Sequence, residues 1–365
     1  MAGFVTTAWN LSAANGLFED GGQPRMCRFY AWRALAVLLF SLLAVFFLLI
    51  MTILDQTSRS TALSFGDLTT LVGRTPLIPL RRVSDHLPEA VRVYAKLEWF
   101  NPGGSVKDRP ALNIIQTALA NGDLQSGKRL LDSTSGNMGI SYATFGAALG
   151  IPVTLTIPAN VSQERLTVLH ALGAEVILTD AGEGTDGAIL EARRLASEFP
   201  HIYWYAHQYD NAANWQAHYK TTGPEIFDQS GALLTHFVTG LGTSGTLMGA
   251  GRYLREKLPS LRLVGVQPDA SFHGLEGLKH MQSAIKPGIF DESFPDEIVE
   301  VRTVEAYEMV LKLARSEGLF VGISSGAAAL AALRIAERLQ AGVIVTLFPD
   351  AGYKYLSEKE LWKGA

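Results

Sequence analysis

The chain has 365 residues, a formal net charge of −4 and 48 % hydrophobic residues, enough for about two domains or one two-lobed unit with a sizeable core. It shows no basic stripe, so no nucleic-acid partner is expected, because phosphate neutralisation needs clustered Lys and Arg. Cys27 is the only cysteine, which excludes an intrachain disulfide framework and a cysteine-ligated zinc site. The eight histidines lack ligand spacing, so no metal is expected.

An uncharged apolar run near the start follows a tail at residues 1–33. Residues 34–54 read ALAVLLFSLLAVFFLLIMTIL, which is long enough to cross a bilayer, so we predict one transmembrane helix and a membrane-anchored protein. The alternatives are a cleaved signal peptide, a core helix, or a misassigned start before a soluble cytoplasmic protein. Arginines before the run favour a cytoplasmic tail, but the orientation stays open. Residues 55–66 are a predicted linker, and the catalytic unit is expected over 67–365.

The folded unit brings a lysine to a strand-to-helix junction. Apolar and polar residues alternate from Val91 to Trp99, the pattern of a strand with one buried face. The turn Asn101–Arg109, NPGGSVKDR, follows, and a helix is expected to end before Gly122. Lys107 can therefore be presented to a cavity at a fixed angle, which suits a Schiff-base lysine. Taken alone, such a motif is more often a solvated surface lysine.

Strand-like and helical patterns then alternate along the chain. RLLDS, IPVTLTIP, AEVILTD and HIYWYA form one series of strands, and THFVTG, RLVGVQP, LFVGIS and GVIVTLF form a second. This alternation predicts parallel sheets with helices on both faces. We expect two lobes, a small one at roughly 101–214 and a large one at roughly 67–100 plus 215–365.

A glycine-rich turn, GLGTSGT at Gly240–Thr246, lies between a predicted strand and a predicted helix. Backbone N–H groups at a helix N-terminus bind anions, so this turn predicts a phosphate cradle. It also fits the GxGxxG pattern of dinucleotide folds. However, the next strand ends in Gln267 and not in an acidic residue that would hold a ribose, which favours a compact phosphorylated cofactor over NAD. A turn without a ligand is the alternative.

A third turn, STSGNMG at Ser133–Gly139, offers hydroxyl, amide and backbone donors at another helix start. Such donors can bind the carboxylate of an amino acid, although an ordinary helix cap is equally compatible with this turn. A lysine, a phosphate cradle and a carboxylate-binding turn in one α/β protein are what pyridoxal phosphate chemistry on amino acids requires.

These motifs carry a family resemblance. NPGGSVKDR, TSGNMG, GLGTSGT and GISSGAA resemble the signatures of fold type II pyridoxal phosphate enzymes, specifically cysteine synthases and cystathionine β-synthase, over about Leu68–Leu356. PGIFDES, GLKH at Gly277–His280 and the ending DAGYKYLS are most similar to cysteine synthase B and the O-phosphoserine sulfhydrylases. The resemblance implies a two-lobed, tryptophan-synthase-β-like α/β fold and a homodimer.

The resemblance also implies roles for individual residues. Lys107 would join the cofactor aldehyde and later move the α-proton, Asn137 would hydrogen-bond the pyridoxal hydroxyl, and Ser324 would face the pyridine nitrogen. A neutral hydroxyl there does not keep the nitrogen protonated, which favours elimination of a β-leaving group. The expected phosphate-binding residues are Gly242, Thr243, Ser244, Gly245 and Thr246. The expected carboxylate-binding residues are Thr134, Ser135, Gly136, Asn137 and Gln208.

Two positions bear on substrate choice. Met138 stands where family members usually carry Thr, which removes a hydroxyl near the substrate and can shift the preference toward cyanide or another small anion. Lys279 and His280 occupy the region where relatives place arginines that accept bulkier anionic substrates. Lys279 is therefore a predicted substrate-binding residue, with a solvated charged turn as the alternative.

The predicted reaction is β-replacement on an activated serine, O-acetylserine or O-phosphoserine, with sulfide or thiosulfate as sulfur donor, giving cysteine or S-sulfocysteine. Cystathionine synthesis and serine or threonine deamination are alternatives within the fold. A nicotinamide-dependent oxidoreductase would use the glycine turn but leaves Lys107 without a task. A catalytically silent, membrane-tethered binding protein is the remaining alternative.

Overall fold

The computed structural model describes residues 67–124, 127–134 and 136–363. Its strands, numbered in chain order, are β1 Leu77–Pro79, β2 Val91–Leu97, β3 Arg129–Ser133, β4 Val153–Pro158, β5 Glu175–Thr179, β6 Tyr203–Tyr205, β7 Leu234–Gly240, β8 Arg262–Pro268, β9 Glu297–Val301 and β10 Gly342–Phe348. Its α-helices are α1 Asp108–Asn121, α2 Asn137–Leu149, α3 Gln163–Ala171, α4 Gly184–Glu198, α5 Ala212–Lys220, α6 Thr222–Ser230, α7 Gly245–Lys257, α8 Thr303–Glu317 and α9 Ile323–Ala336. Short 3-10 turns occur at Leu68–Leu71, Glu98–Phe100, Ala181–Glu183, Gly231–Leu233 and Gly352–Tyr355.

The strands form two sheets. One has six strands in the order β1-β2-β10-β7-β8-β9, and the other has four in the order β5-β4-β3-β6. All neighbouring strands are parallel except β1, which runs antiparallel to β2. The predicted α/β class with parallel sheets flanked by helices is confirmed, whereas the lobe boundaries given above stay a prediction.

Helices cover both faces of each sheet, as the alternation of buried side chains requires. In β8, Val264 packs in the cluster that contains α8 and α9, whereas its neighbour Leu263 packs with α7 on the opposite face. In the smaller sheet, Leu130 packs with α1 and α2 and Leu131 packs with α4. Because both faces are covered, consecutive apolar residues occur in these strands, such as Leu130 and Leu131 in β3 and Leu263 and Val264 in β8, and such runs are easily recognised in the sequence.

One predicted strand is wrong. LFVGIS, at residues 319–324, forms only a single bridge, between Val321 and Ala351. Helix α9 begins at Ile323, and its start packs tightly on α8, since a Cβ on Gly326 would lie 2.4 Å from the carbonyl oxygen of Ala306. The alanine-rich sequence of α9 therefore forms a buried helix whose first turn carries Ser324.

A buried charge network fixes the segment that carries Lys107. Arg109 donates through Nε to Glu98 Oε2 at 2.7 Å and through Nη1 to Glu225 Oε1 at 2.7 Å. Lys96 Nζ donates to Glu225 Oε2 at 2.8 Å. The network joins β2, the first turn of α1 and helix α6. Removing one partner from such a network leaves a buried charge without compensation.

We expect Arg109→Met to lower the free energy of unfolding by about 3–5 kcal/mol, because Glu98 would remain buried without its counter-charge. Urea denaturation followed by circular dichroism measures this loss. Arg194→Ala is the control, because Arg194 pairs with Glu191 and Glu198 on an exposed face and its loss should leave stability nearly unchanged. Equal effects of the two substitutions would contradict the assignment.

The predicted membrane anchor requires a correction. Its apolar run at 34–54, with the tail at 1–33 and the linker at 55–66, lies outside the described residues. Where the structure does describe the chain, no helix is long and apolar enough to cross a membrane. The longest helices, α4 and α8, have 15 residues; they span about 22 Å, less than the ~30 Å of a bilayer's apolar core. The predicted membrane localisation is therefore withdrawn.

Candidate active site

The predicted site residues meet in a crevice at the carboxyl ends of the parallel strands, where open α/β sheets bind ligands. In the larger sheet β2, β10 and β7 are neighbours. The chain leaving β2 carries Lys107, and the chain leaving β7 forms the turn Gly240–Thr246. Both lie in one cavity, which Pro349 after β10 also lines. Sheet order therefore brings together residues that are far apart in sequence.

The smaller sheet supplies the opposite wall. Thr134 follows β3 and Gln208 follows β6, and both line a pocket that adjoins the first cavity and shares Lys107 and Asn137 with it. Predicted residues in the first cavity are Lys107, Asn137, Gly242, Thr243, Ser244, Gly245, Thr246 and Ser324. Predicted residues in the adjoining pocket are Lys107, Thr134, Gly136, Asn137, Gln208 and Lys279, with Gly242 and Thr243 between the two. Ser135 lies outside the described residues.

Lys107 is half-buried and immediately precedes α1. Burial lowers the pKa of its amine, Lys354 lowers it further, and the negative charge of Asp350 opposes the shift. A lowered pKa increases the fraction of unprotonated amine at neutral pH, and the unprotonated amine is the form that attacks a carbonyl carbon. The position and the charge state of Lys107 both suit covalent chemistry.

The glycine turn is shaped for a compact anion. A Cβ on Gly242 would lie 2.3 Å from the carbonyl oxygen of Gly277, and a Cβ on Gly245 would lie 2.0 Å from Asn214 Oδ1. Ser244 adopts a left-handed conformation, with φ 67°, and its buried Oγ has no hydrogen-bond partner among the described residues. Helix α7 begins at Gly245 and directs its positive end to this turn. Backbone donors, a hydroxyl in need of a partner and a helix dipole together fit a phosphate group.

The residues predicted to bind a carboxylate are held in place by hydrogen bonds to their neighbours. Gln208 donates through Nε2 to the carbonyl oxygen of Ser133 at 2.8 Å, and its backbone N–H donates to Asp132 Oδ2 at 3.3 Å. Burial raises the pKa of Asp132 to about 7. The backbone N–H of Gly136 donates to Thr134 Oγ1 at 3.3 Å. Thr134 and Gln208 are thereby fixed at the cavity wall. Met138 is buried at 2 % exposure and lines the same pocket.

Lys279 is buried and not solvated, which excludes the exposed charged turn considered above. Its Nζ lies 3.6 Å from Asp186 Oδ1 and 4.8 Å from the ring centroid of Tyr209. Burial lowers the pKa of its amine, and Asp186 opposes that shift. A cation thus lies at the edge of this pocket, and within the described part of the chain its ion pair is the long contact with Asp186.

Several cavity residues were not predicted. Glu276 and Tyr355 line the cavity, and Asp350 and Lys354 hydrogen-bond to Asn137 beside it. Asp350, Lys354 and Tyr355 belong to DAGYKYLS, a segment that carries part of the family resemblance but to which no function is assigned above. A usable signal was present, because this segment follows a buried strand, and the carboxyl ends of parallel strands share one edge.

Comparisons with known proteins agree with this geometry. Residues 68–350 match the model of a family described as pyridoxal-phosphate dependent enzymes. The chain is 52 % identical over 292 residues to a cysteine synthase of Aquifex aeolicus, covering 79 % of this chain and 89 % of that protein. It is 41 % identical over 286 residues to cysteine synthase B of Pseudomonas aeruginosa, covering 78 % and 94 %. A cysteine synthase crystal structure from Entamoeba histolytica matches with a TM-score of 0.78 at 35 % identity, covering 83 % of this chain and 92 % of that one. The resemblance inferred from the motifs is confirmed.

Proposed function

The chain belongs to the family of pyridoxal-phosphate dependent enzymes, and from this premise we propose that it is a cysteine synthase acting by β-replacement on an activated serine. The observation that carries this proposal is the shared cavity. Lys107 with its lowered pKa, the glycine turn at the start of α7 and the wall that contains Thr134 and Gln208 line it together. Each of the three is needed for this chemistry.

The residues of the cavity fit pyridoxal phosphate. Gly242 to Thr246 would hold the phosphate, Asn137 would bind the ring hydroxyl, and Ser324 would face the pyridine nitrogen. When bound, the cofactor supplies an electron sink for the negative charge that develops at the substrate α-carbon. The orphaned hydroxyl of Ser244 and the close packing of the turn, which leaves no room for a Cβ at Gly242 or Gly245, support this assignment.

The chain's own residues would then position the substrate and move one proton. Thr134, Gly136 and Gln208 bind the substrate carboxylate and orient the α-carbon toward Lys107. The Nζ of Lys107 accepts the α-proton, because its lowered pKa leaves the amine free to act as a base. Acetate or phosphate leaves from the β-carbon, sulfide adds there, and Lys107 returns a proton to the α-carbon to give cysteine.

Product analysis of defined substrate pairs tests the proposal. We expect purified enzyme loaded with pyridoxal phosphate to form cysteine from O-acetylserine or O-phosphoserine with sulfide. Ping-pong kinetics are expected, because the first product leaves before sulfide adds. Separate incubations with thiosulfate and homocysteine report S-sulfocysteine and cystathionine, and ammonia release reports deamination. Ammonia or cystathionine as the main product, or an obligatory ternary complex, would contradict the proposal. The homodimer implied by the resemblance also stays a prediction.

We further propose that Lys279 lets the enzyme accept substrates larger and more anionic than acetylserine and sulfide. Lys279→Ala should raise KM for O-phosphoserine or thiosulfate about tenfold, as expected for loss of one charged contact, and should change kinetics with acetylserine and sulfide little. Lys286→Ala is the matched control, since Lys286 lies on the same segment, outside the cavity lining, and pairs with Glu292. Equal losses for all substrates would reject a role in anion selection.

A further inference from the structure

The segment after β10 contacts Asn137 on both ends of its amide. Asn137 Nδ2 donates to Asp350 Oδ2 at 2.7 Å. Asn137 Oδ1 accepts from Lys354 Nζ at 2.6 Å. Asp350 is fully buried, and Lys354 is half-buried. The two charged residues therefore flank one amide group at the wall of the active-site cavity.

These partners allow only one orientation of the amide. The carboxylate of Asp350 can only accept a hydrogen bond when ionised, and the ammonium of Lys354 can only donate. Turning the Asn137 amide over would place its NH₂ against an ammonium group and its oxygen against a carboxylate. Both contacts would then be repulsive, and both charged groups would lose a strong hydrogen bond. One N–H of Nδ2 binds Asp350, and the second is left for another acceptor.

Asp350 is itself rigidly held. Its Oδ2 also accepts from the hydroxyl of Tyr355 at 2.7 Å, and its carbonyl oxygen accepts from the N–H of Gly322 at 3.1 Å. A Cβ at Gly322 would lie 2.0 Å from Asp350 Oδ1, so the chain keeps a glycine where the carboxylate needs space. The carboxylate cannot shift without disturbing both the start of α9 and the turn Gly352–Tyr355.

Lys354 is also held in place, next to Gly103 and Gly104. Its Nζ also donates to the carbonyl oxygen of Gly103 at 3.3 Å. A Cβ on Gly104 would lie 3.6 Å from both Cε and Nζ of Lys354. The ammonium of Lys354 therefore contacts both the turn that leads into Lys107 and Asn137, the first residue of α2.

We propose that Asp350 and Lys354 are positioning residues that hold the Asn137 amide in one orientation, so that one Nδ2–H of Asn137 remains a donor for the ring hydroxyl oxygen of the cofactor. This inference rests on the proposed function. It assigns a task to the DAGYKYLS segment, which the resemblance alone leaves without one. The opposing effects of Asp350 and Lys354 on the pKa of Lys107 agree with their closeness to the reacting amine.

A double-mutant cycle tests the proposal through cofactor affinity. Apo-enzyme is titrated with pyridoxal phosphate, and the dissociation constant is read from the visible absorbance. Lys354→Met keeps the length of the side chain but removes the donor, and it should weaken cofactor binding about tenfold. Lys354→Arg keeps a cationic donor and should restore binding to within about threefold of the wild type. In an Asn137→Ala background, Lys354→Met should change binding less than about twofold, because the amide through which it acts is gone.

The outcomes separate this inference from the proposed function. If the wild type develops no visible absorbance with pyridoxal phosphate, the proposed function fails and this inference fails with it. If the wild type binds the cofactor, a full effect of Lys354→Met in the Asn137→Ala background, or no effect in the wild-type background, overturns the positioning role alone. Should Lys354→Met not fold, Asp350→Asn is measured in the same two backgrounds. The amide of Asp350→Asn can present either its oxygen or its NH₂ to Asn137, so it no longer fixes the orientation of the Asn137 amide. The same dependence on Asn137 is therefore expected, and equal effects in both backgrounds overturn the proposal.

Discussion

Lys107→Ala is expected to lower kcat by at least ~10³-fold, because one amine both joins the cofactor and moves the α-proton. The visible band of the lysine-bound cofactor should disappear, while the protein stays folded because the side chain is only half-buried. Absorbance spectra and steady-state kinetics measure the two effects. Lys286→Ala, which removes an exposed lysine, should change neither. Full turnover in Lys107→Ala would contradict the assigned role.

Gly242→Ala is expected to weaken binding of pyridoxal phosphate roughly 10- to 100-fold, the range that overpacking of a rigid site produces. Its Cβ would lie 2.3 Å from the backbone carbonyl oxygen of Gly277, which cannot move aside as a flexible side chain could. Titration of apo-enzyme with the cofactor measures the loss.

Two controls locate that effect at the phosphate. Gly251→Ala adds a methyl group on the same helix, α7, where its nearest neighbours are flexible side-chain carbons of Leu263 and Phe294 at 3.0–3.3 Å, and should leave cofactor affinity unchanged. Pyridoxal without its phosphate should bind Gly242→Ala and wild-type enzyme nearly alike. If both forms of the cofactor lost affinity equally, the cradle would not be a phosphate site.

Local rules predicted much of the fold. Helix α1 ends at Asn121 because Gly122 takes the left-handed conformation, with φ 79°, as its position after an apolar run indicated. Strands β3, β4, β7, β8 and β10 were recognised because strands covered on both faces contain short runs of consecutive apolar or β-branched residues. The turns around Lys107 and Gly242 were recognised because each begins and ends within a few residues.

Features that depend on distant contacts were missed. Strand β1 has three residues and is a strand only because it pairs with β2. The run at 319–324 has strand composition, but its last residues form the first turn of α9. The contacts of Asp350 and Lys354 with Asn137 join positions more than 200 residues apart. Hydrophobic periodicity gives no information on such long-range contacts. They follow only from the order of strands in the sheets.

We propose that the Nζ of Lys107 forms the covalent link to pyridoxal phosphate. Borohydride reduction of the cofactor-loaded protein fixes such a link, and peptide mass spectrometry then locates it. We expect one phosphopyridoxyl group, on the peptide containing Lys107, together with loss of the visible band on reduction. A label on another lysine, or no label on protein that has been saturated with the cofactor, would contradict it.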